Sequence, residues 1–199
     1  MTPRQAIQAT NHPTPDSIIA VEPIRSTEQV SAVRDSLRGR DRVMFTLGVN
    51  TNLRASDILN LKVGNIDFQQ QCIVLREKKT GKTRRIALSP EVVAMLIELL
   101  GAGKQISRET LVFQSRKGGG VMTVSTLNHL VKKWCADVGL RGNFGSHTLR
   151  KTWAFIQYRV FGTDIAVISQ ELNHSNMRTT YRYLGITPDE VKAAYMRFI

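Results

Sequence analysis

A chain of 199 residues with 28 Lys+Arg against 16 Asp+Glu has a formal net charge of +12. It is long enough for one well-packed domain, and its default partner is nucleic acid or another polyanion. A 42% hydrophobic content excludes global disorder, and two distant cysteines, Cys72 and Cys135, exclude a disulfide framework or zinc spacing. No apolar run reaches membrane-span length and no secretory apolar core opens the chain, so the expected location is a reducing cytoplasm without membrane contact.

Pro3, Pro13, Pro15 and Pro23 among polar residues predict an extended or disordered N-terminal arm over residues 1–25. Helical signals begin at Ser26-Thr27, with acidic Glu28 just inside and Val30, Val33 and Leu37 at helical spacing. Further helices are expected over about 40–49 and 55–61. Residues 72–75 and 84–88 read as strands, joined by the polar stretch 77–83 with Gly81 at the turn. The result is a β-hairpin with a basic tip. Pro90 opens a helix over 91–100, and the Gly-rich loop 116–120 precedes another over about 124–138. Helices are expected again over 149–160, 164–172, 177–183 and 189–198. The predicted fold class is α+β, mainly α-helical, with one small antiparallel sheet.

The last third concentrates reactive side chains: His147 and Arg150 in His147-Thr148-Leu149-Arg150, then Leu172-Asn173-His174, then Tyr183. An Arg offers a planar fork to two phosphate oxygens. A His exchanges a proton near neutral pH, and a Tyr hydroxyl becomes a covalent nucleophile when a neighbour activates it. Together they suggest phosphoryl transfer on a polyanion. Catalysis on a phosphodiester must neutralise the charge that builds at phosphorus. Metal enzymes do so with clustered carboxylates, but here the acidic residues are spread singly, so no metal or other cofactor is expected. Arg54 and Arg150 are expected to clamp the phosphate instead, with Asp57 three residues beyond Arg54. Trp153, Phe155 and Tyr158 read as helix core.

The order of these residues resembles the tyrosine recombinase (phage integrase) family. Its signature runs His-x-x-Arg, then Leu-Gly-His, then Tyr nine positions on, as 147–150, His174 and Tyr183 do here. Its first Arg lies in a Gly-φ-Arg-x-x-Glu/Asp box, which 52–57 resembles. The resemblance covers roughly 27–186 and implies the catalytic-domain fold of that family over 26–186. It assigns catalysis to Arg54, His147, Arg150, His174 and Tyr183, with Asp57 as an orienting carboxylate. Spacing from His174 favours Tyr183 over Tyr181. Lys79 matches the family's general-acid lysine and stands at the hairpin tip, where Lys78 and Lys82 are alternatives. Lys78, Lys82, Arg84, Arg116 and Lys117 are expected to bind DNA. Asn173 departs from the usual Gly, in a turn where Asn tolerates left-handed backbone.

The function implied is that of a site-specific recombinase or integrase. It would cleave and rejoin double-stranded DNA through a 3′-phosphotyrosyl link, without metal or ATP. The implied assembly is a homotetramer on two DNA sites, with accessory DNA-bending proteins and a C-terminal helix over 187–199 docking on a neighbour. Most members carry a separate N-terminal core-binding domain, whereas about 25 residues precede the catalytic region here. A type IB topoisomerase-like enzyme and a non-catalytic DNA-binding regulator of the same fold are the alternatives.

Overall fold

The computed structural model describes residues 21–76, 83–116, 118–174 and 176–186, together with 192, 193, 195 and 196. The hairpin tip 77–82, Lys117 and most of the expected C-terminal helix lie outside the described residues.

Three short helices come first: α1 Thr27–Ser36, α2 Gly39–Asn50 and α3 Ala55–Leu59. A three-stranded antiparallel sheet follows in the order β1 Ile66–Asp67, β2 Cys72–Arg76, β3 Thr83–Ala87. The remaining helices are α4 Pro90–Leu100, α5 Val124–Asp137, α6 Ser146–Arg159, α7 Ile165–Glu171 and α8 Met177–Leu184. The expected fold class holds.

Helix starts follow local chemistry. The Ser26 hydroxyl accepts from the Gln29 amide at 3.2 Å, and the Thr123 hydroxyl accepts from the Thr126 amide at 3.1 Å. Ser89 caps α4, and Pro90 takes the first helical position, where its missing N–H costs nothing. In the sheet, Ile73 pairs with both Ile66 and Ile86, and all three side chains are buried.

Three local features differ from the sequence expectation. Helix α3 stops at Leu59, two residues early, because the Val112 and Val63 amides bond to the Leu61 and Thr110 carbonyls at 2.8 and 2.9 Å. That pairing draws 61–63 out of the helix. Helix α6 begins at Ser146, ahead of the expected 149. There the Thr148 hydroxyl accepts from the Gly145 amide, and Asn128 Oδ1 accepts from the Ser146 amide, each at 3.0 Å. Strand β1 is only two residues long and carries no alternating pattern to read.

The core forms around α2, whose residues 43–49 are all buried. A helix apolar on every side belongs at the centre of a fold. Phe45 meets Trp134 of α5 edge-on at 6.1 Å, and Leu149 of α6 joins the same cluster. A second, smaller cluster joins Ala154 of α6, Ile168, Leu172 and Leu184, with Trp153, Tyr158 and Tyr183 packed against it. Helix α6 therefore has its first half in one core and its second half in the other. Residues 21–25 lie alongside it: the Ile24 amide donates to the Thr152 hydroxyl at 2.9 Å, and the Ile24 side chain is buried.

Helices α2 and α6 meet at Gly48, where an added Cβ would fall 2.6 Å from Leu149 Cδ1 and 3.0 Å from its Cβ. Gly48→Ala should therefore push α6 away and cost about 1–3 kcal/mol by overpacking. The check is the urea unfolding midpoint. A midpoint equal to wild type would mean that Leu149 has room to turn aside.

Candidate active site

The site is assembled where the segment before α3, the first turns of α6, the α7–α8 loop and α8 converge. Between α2 and α3 the chain is held by buried side chains: the Thr51 hydroxyl donates to the Leu47 carbonyl at 2.8 Å, and Leu53 is buried. Arg54 is thereby placed at the N-cap of α3 with an exposed side chain. Asp57 accepts from the Arg54 amide at 3.1 Å, while the Asp57 amide donates to the Arg54 carbonyl at 2.9 Å. Both bonds fix the Arg54 main chain at the start of α3.

Arg150 lies inside, 4% exposed. Its Nη1 donates to the Asn52 carbonyl, and its Nη2 donates to the Leu172 carbonyl at 2.8 Å. The guanidinium plane is fixed by two backbone oxygens from two different loops. Burial lowers its pKa, and Arg54 and Arg84 push the same way, against the pull of Tyr183 and Asp57. An arginine still keeps its proton under such pressure.

His147 stands one turn ahead of Arg150 on α6. Desolvation of the ring's inner side, with Arg150, Lys151 and Arg54 nearby, holds its pKa below the ordinary imidazole range. His174 sits in the loop between α7 and α8, between the two helices expected there. Asn173 before it adopts φ 54°, the left-handed conformation that closes α7, and the His174 amide donates to the Ser169 carbonyl at 3.1 Å. The turn that Gly would favour is made by Asn. His174 Nδ1 lies 3.0 Å from the Thr180 hydroxyl, and burial, Arg150 and Arg54 lower its pKa.

Tyr183 reaches this cluster from α8. Its ring meets His174 at 5.4 Å and His147 at 6.4 Å, both edge-on, and Lys151 Nζ lies 5.3 Å over the ring. Among the described residues the buried Tyr183 hydroxyl has no partner at full hydrogen-bond geometry, with the Arg150 guanidinium beside it. Burial pushes its pKa up to about 12, while Arg150, by charge and hydrogen bonding, and the Arg54 charge pull it down. Tyr181 is 42% exposed and outside these ring contacts.

Four expected residues, Arg54, His147, Arg150 and His174, therefore surround the fifth, Tyr183. Arg84, expected to bind DNA, is half-buried on β3. It donates to Asn52 Oδ1 and, at 3.1 Å, to the Glu171 carbonyl. Arg116 is exposed and pairs with Asp41 at 3.3 Å. Lys78, Lys79, Lys82 and Lys117 lie outside the described residues.

Sequence reasoning missed two participants. Asn52 is buried and works from both ends: its Nδ2 donates to the Glu171 carbonyl at 2.6 Å, and its Oδ1 accepts from Arg84. It ties the α2–α3 loop to the end of α7. No local pattern announces such a role. Lys151 directly follows Arg150, and its basic charge at that spacing was the available signal. Among the described residues, no helix is long and apolar enough to cross a membrane, and no three His, Cys, Asp or Glu side chains gather as metal ligands.

The sequence matches the phage integrase family over residues 25–190. The chain belongs to that family. Its members break and rejoin DNA strands as recombinases and integrases. The chain is 33% identical to the probable integrase/recombinase YoeC of Bacillus subtilis (strain 168), covering 89% of this chain and 97% of that protein. It is 30% identical to the tyrosine recombinase XerA of Pyrococcus horikoshii, over 84% of this chain and 57% of the relative. The chain thus spans nearly all of one relative and little more than half of the other. The crystal structure of XerA recombinase matches with a TM-score of 0.71 at 23% identity, over 93% of this chain and 68% of that one. The XerH site-specific recombinase, in a post-cleavage complex with a palindromic difH substrate, matches at 0.67 and 22%, over 88% and 53%. Both likenesses establish the fold, that of a tyrosine recombinase catalytic domain.

Proposed function

We propose that this protein is a site-specific recombinase that cleaves and rejoins duplex DNA through a 3′-phosphotyrosyl intermediate. The observation that carries this reading is the buried Tyr183 hydroxyl, ringed by Arg54, His147, Arg150 and His174 from three separate segments. Arg54 and Arg150 neutralise the non-bridging oxygens of the scissile phosphate. The Tyr183 oxygen forms a bond to phosphorus as the bond to the 5′-oxygen breaks. The phenolic proton passes to a histidine, and Lys79 protonates the departing 5′-oxygen. The ester keeps the energy of the broken bond, so rejoining requires neither ATP nor metal.

The net charge of +12 supports a polyanionic partner. Lys78, Lys82, Arg84, Arg116 and Lys117 extend the cationic surface along double-stranded DNA. Exchange between two DNA sites calls for a homotetramer, with residues 187–199 docking on a neighbouring subunit and accessory proteins bending the DNA. Names of relatives, tyrosine recombinase and integrase among them, are consistent with this reading.

The test combines three assays in the presence of EDTA. Recombination between two candidate sites is the expected result. Relaxation of supercoils without exchange would indicate a topoisomerase, and a gel shift without cleavage would indicate a DNA-binding regulator. Cleavage lost on chelation and restored by magnesium would overturn the mechanism.

A further inference from the structure

Asn52 is 2% exposed and stands where the box that 52–57 resembles has Gly. Glycine would bring no side chain to this place, whereas Asn52 engages both ends of its own. Its Nδ2 donates to the Glu171 carbonyl at 2.6 Å and to Glu171 Oε2 at 3.3 Å, and its Oδ1 accepts from Arg84. Arg84 reaches in from β3 and braces the same Glu171 carbonyl at 3.1 Å. The next carbonyl along the chain, that of Leu172, accepts from Arg150 Nη2, while the main-chain oxygen of Asn52 accepts from Arg150 Nη1. Two rungs therefore span the same gap between the α2–α3 loop and the end of α7. One rung is the Arg150 guanidinium and the other is the Asn52 amide.

We propose that Asn52 is a positioning residue whose amide sets the spacing of the two carbonyls that aim the Arg150 guanidinium at the scissile phosphate. This deepens the recombinase reading and rests on it. A guanidinium carries five N–H donors in one plane. Arg150 commits donors on both Nη atoms to the Asn52 and Leu172 carbonyls, and the remaining ones are left for phosphate oxygens. That plane is defined only while the two carbonyls keep their separation. Without the amide rung, Arg150 alone would join these segments, and its free donors would tilt with whichever segment moved. Preorganised donors are worth most when they need no realignment as charge develops. Glycine at position 52 would leave that alignment to the surrounding packing.

The test compares the whole wild-type chain with Asn52→Gly and Asn52→Asp. The first keeps the main-chain carbonyl and deletes the amide. The second keeps the shape and the acceptor for Arg84 but loses the donor to Glu171. One readout needs no DNA: the ¹⁵N resonances of the Arg150 guanidinium, assigned by their loss in Arg150→Lys. Wild type should show separate Nη signals, because a guanidinium held at both Nη atoms turns slowly about its Nε–Cζ bond, and both variants should merge them. The other readout is single-turnover cleavage at saturating DNA, at a temperature where circular dichroism shows the fold intact. There both variants should slow cleavage by about 10²-fold, the scale of a misplaced catalytic group, with DNA affinity unchanged. In an Arg150→Lys background, which has no fork to aim, Asn52→Gly should slow cleavage by less than about twofold more. Separate Nη signals persisting in both variants would overturn the proposal, as would rate losses that multiply in the double variant. Loss of the fold in both would also overturn it, making the amide a folding group. A protein that never cleaves DNA would defeat the functional reading, while the guanidinium spectra would still decide this assignment.

Discussion

Tyr183→Phe is expected to abolish covalent attachment to DNA while leaving folding and non-covalent binding close to wild type. The substitution removes one oxygen, which among the described residues makes no hydrogen bond of full geometry and lies beside the Arg150 guanidinium. A buried hydroxyl so weakly engaged offsets little of its own desolvation, so its loss should change stability little. The ring remains wedged between His147, His174 and Lys151. Chemistry and stability are therefore separable at this one atom. The measurement is a denaturing gel with a nicked substrate that traps the covalent complex, paired with a thermal melt. Tyr181→Phe should behave as wild type, because its side chain is outward and outside the ring cluster. A trapped band that survives in Tyr183→Phe and disappears in Tyr181→Phe would reverse the assignment.

Arg150→Lys should cost much more than the same charge-preserving change at Arg116. The Arg150 fork holds two carbonyls at once, Asn52 and Leu172, in a position nearly closed to water. A lysine presents a point charge and cannot span both in one plane. One buried carbonyl then loses its donor, at about 1–3 kcal/mol of stability. Misplacing an oxyanion donor costs about 10²–10³ in rate. Arg116 is exposed, and its ion pair with Asp41 is one of the weak surface kind. Single-turnover cleavage and urea midpoints of the two variants provide the comparison. Equal cleavage rates for Arg150→Lys and wild type would reduce Arg150 to a distant electrostatic attractor.

The elements that the sequence foretold are those written in local chemistry. Ser26, Ser89-Pro90 and Thr123 mark their helix starts through contacts within three residues, and the hairpin follows from two apolar runs around a polar turn. The candidate set was legible through its resemblance to the family signature, His-x-x-Arg and then a second His with Tyr nine positions on, and the fold brings those residues together. What escaped depends on partners far along the chain. The beginning of α6 is set by Asn128, eighteen residues away, and the end of α3 by pairing with 110–112. Asn52 has meaning only once Arg84 and Glu171 lie beside it. Arg84 was expected to bind DNA on the strength of its charge. Charge alone does not encode its contacts with Asn52 and the Glu171 carbonyl, which come from tertiary packing.

The division of the interior into two cores gives the molecule two rungs of stability. Arg54 and Arg150 are rooted where α2, α3 and α6 share the large cluster, whereas Tyr183 and the loop bearing His174 rest on the small one. Among the described residues the small core has four buried apolar side chains to hold α7 and α8. Opening it exposes far less apolar surface than global unfolding and so demands less free energy. Mild denaturant or warming should then withdraw the nucleophile first, together with the Leu172 carbonyl that holds one arm of Arg150, while α2 and α3 stay packed. In that range cleavage should be lost before the bulk of the fold, so a dose of denaturant too small to unfold the large core would silence the protein reversibly.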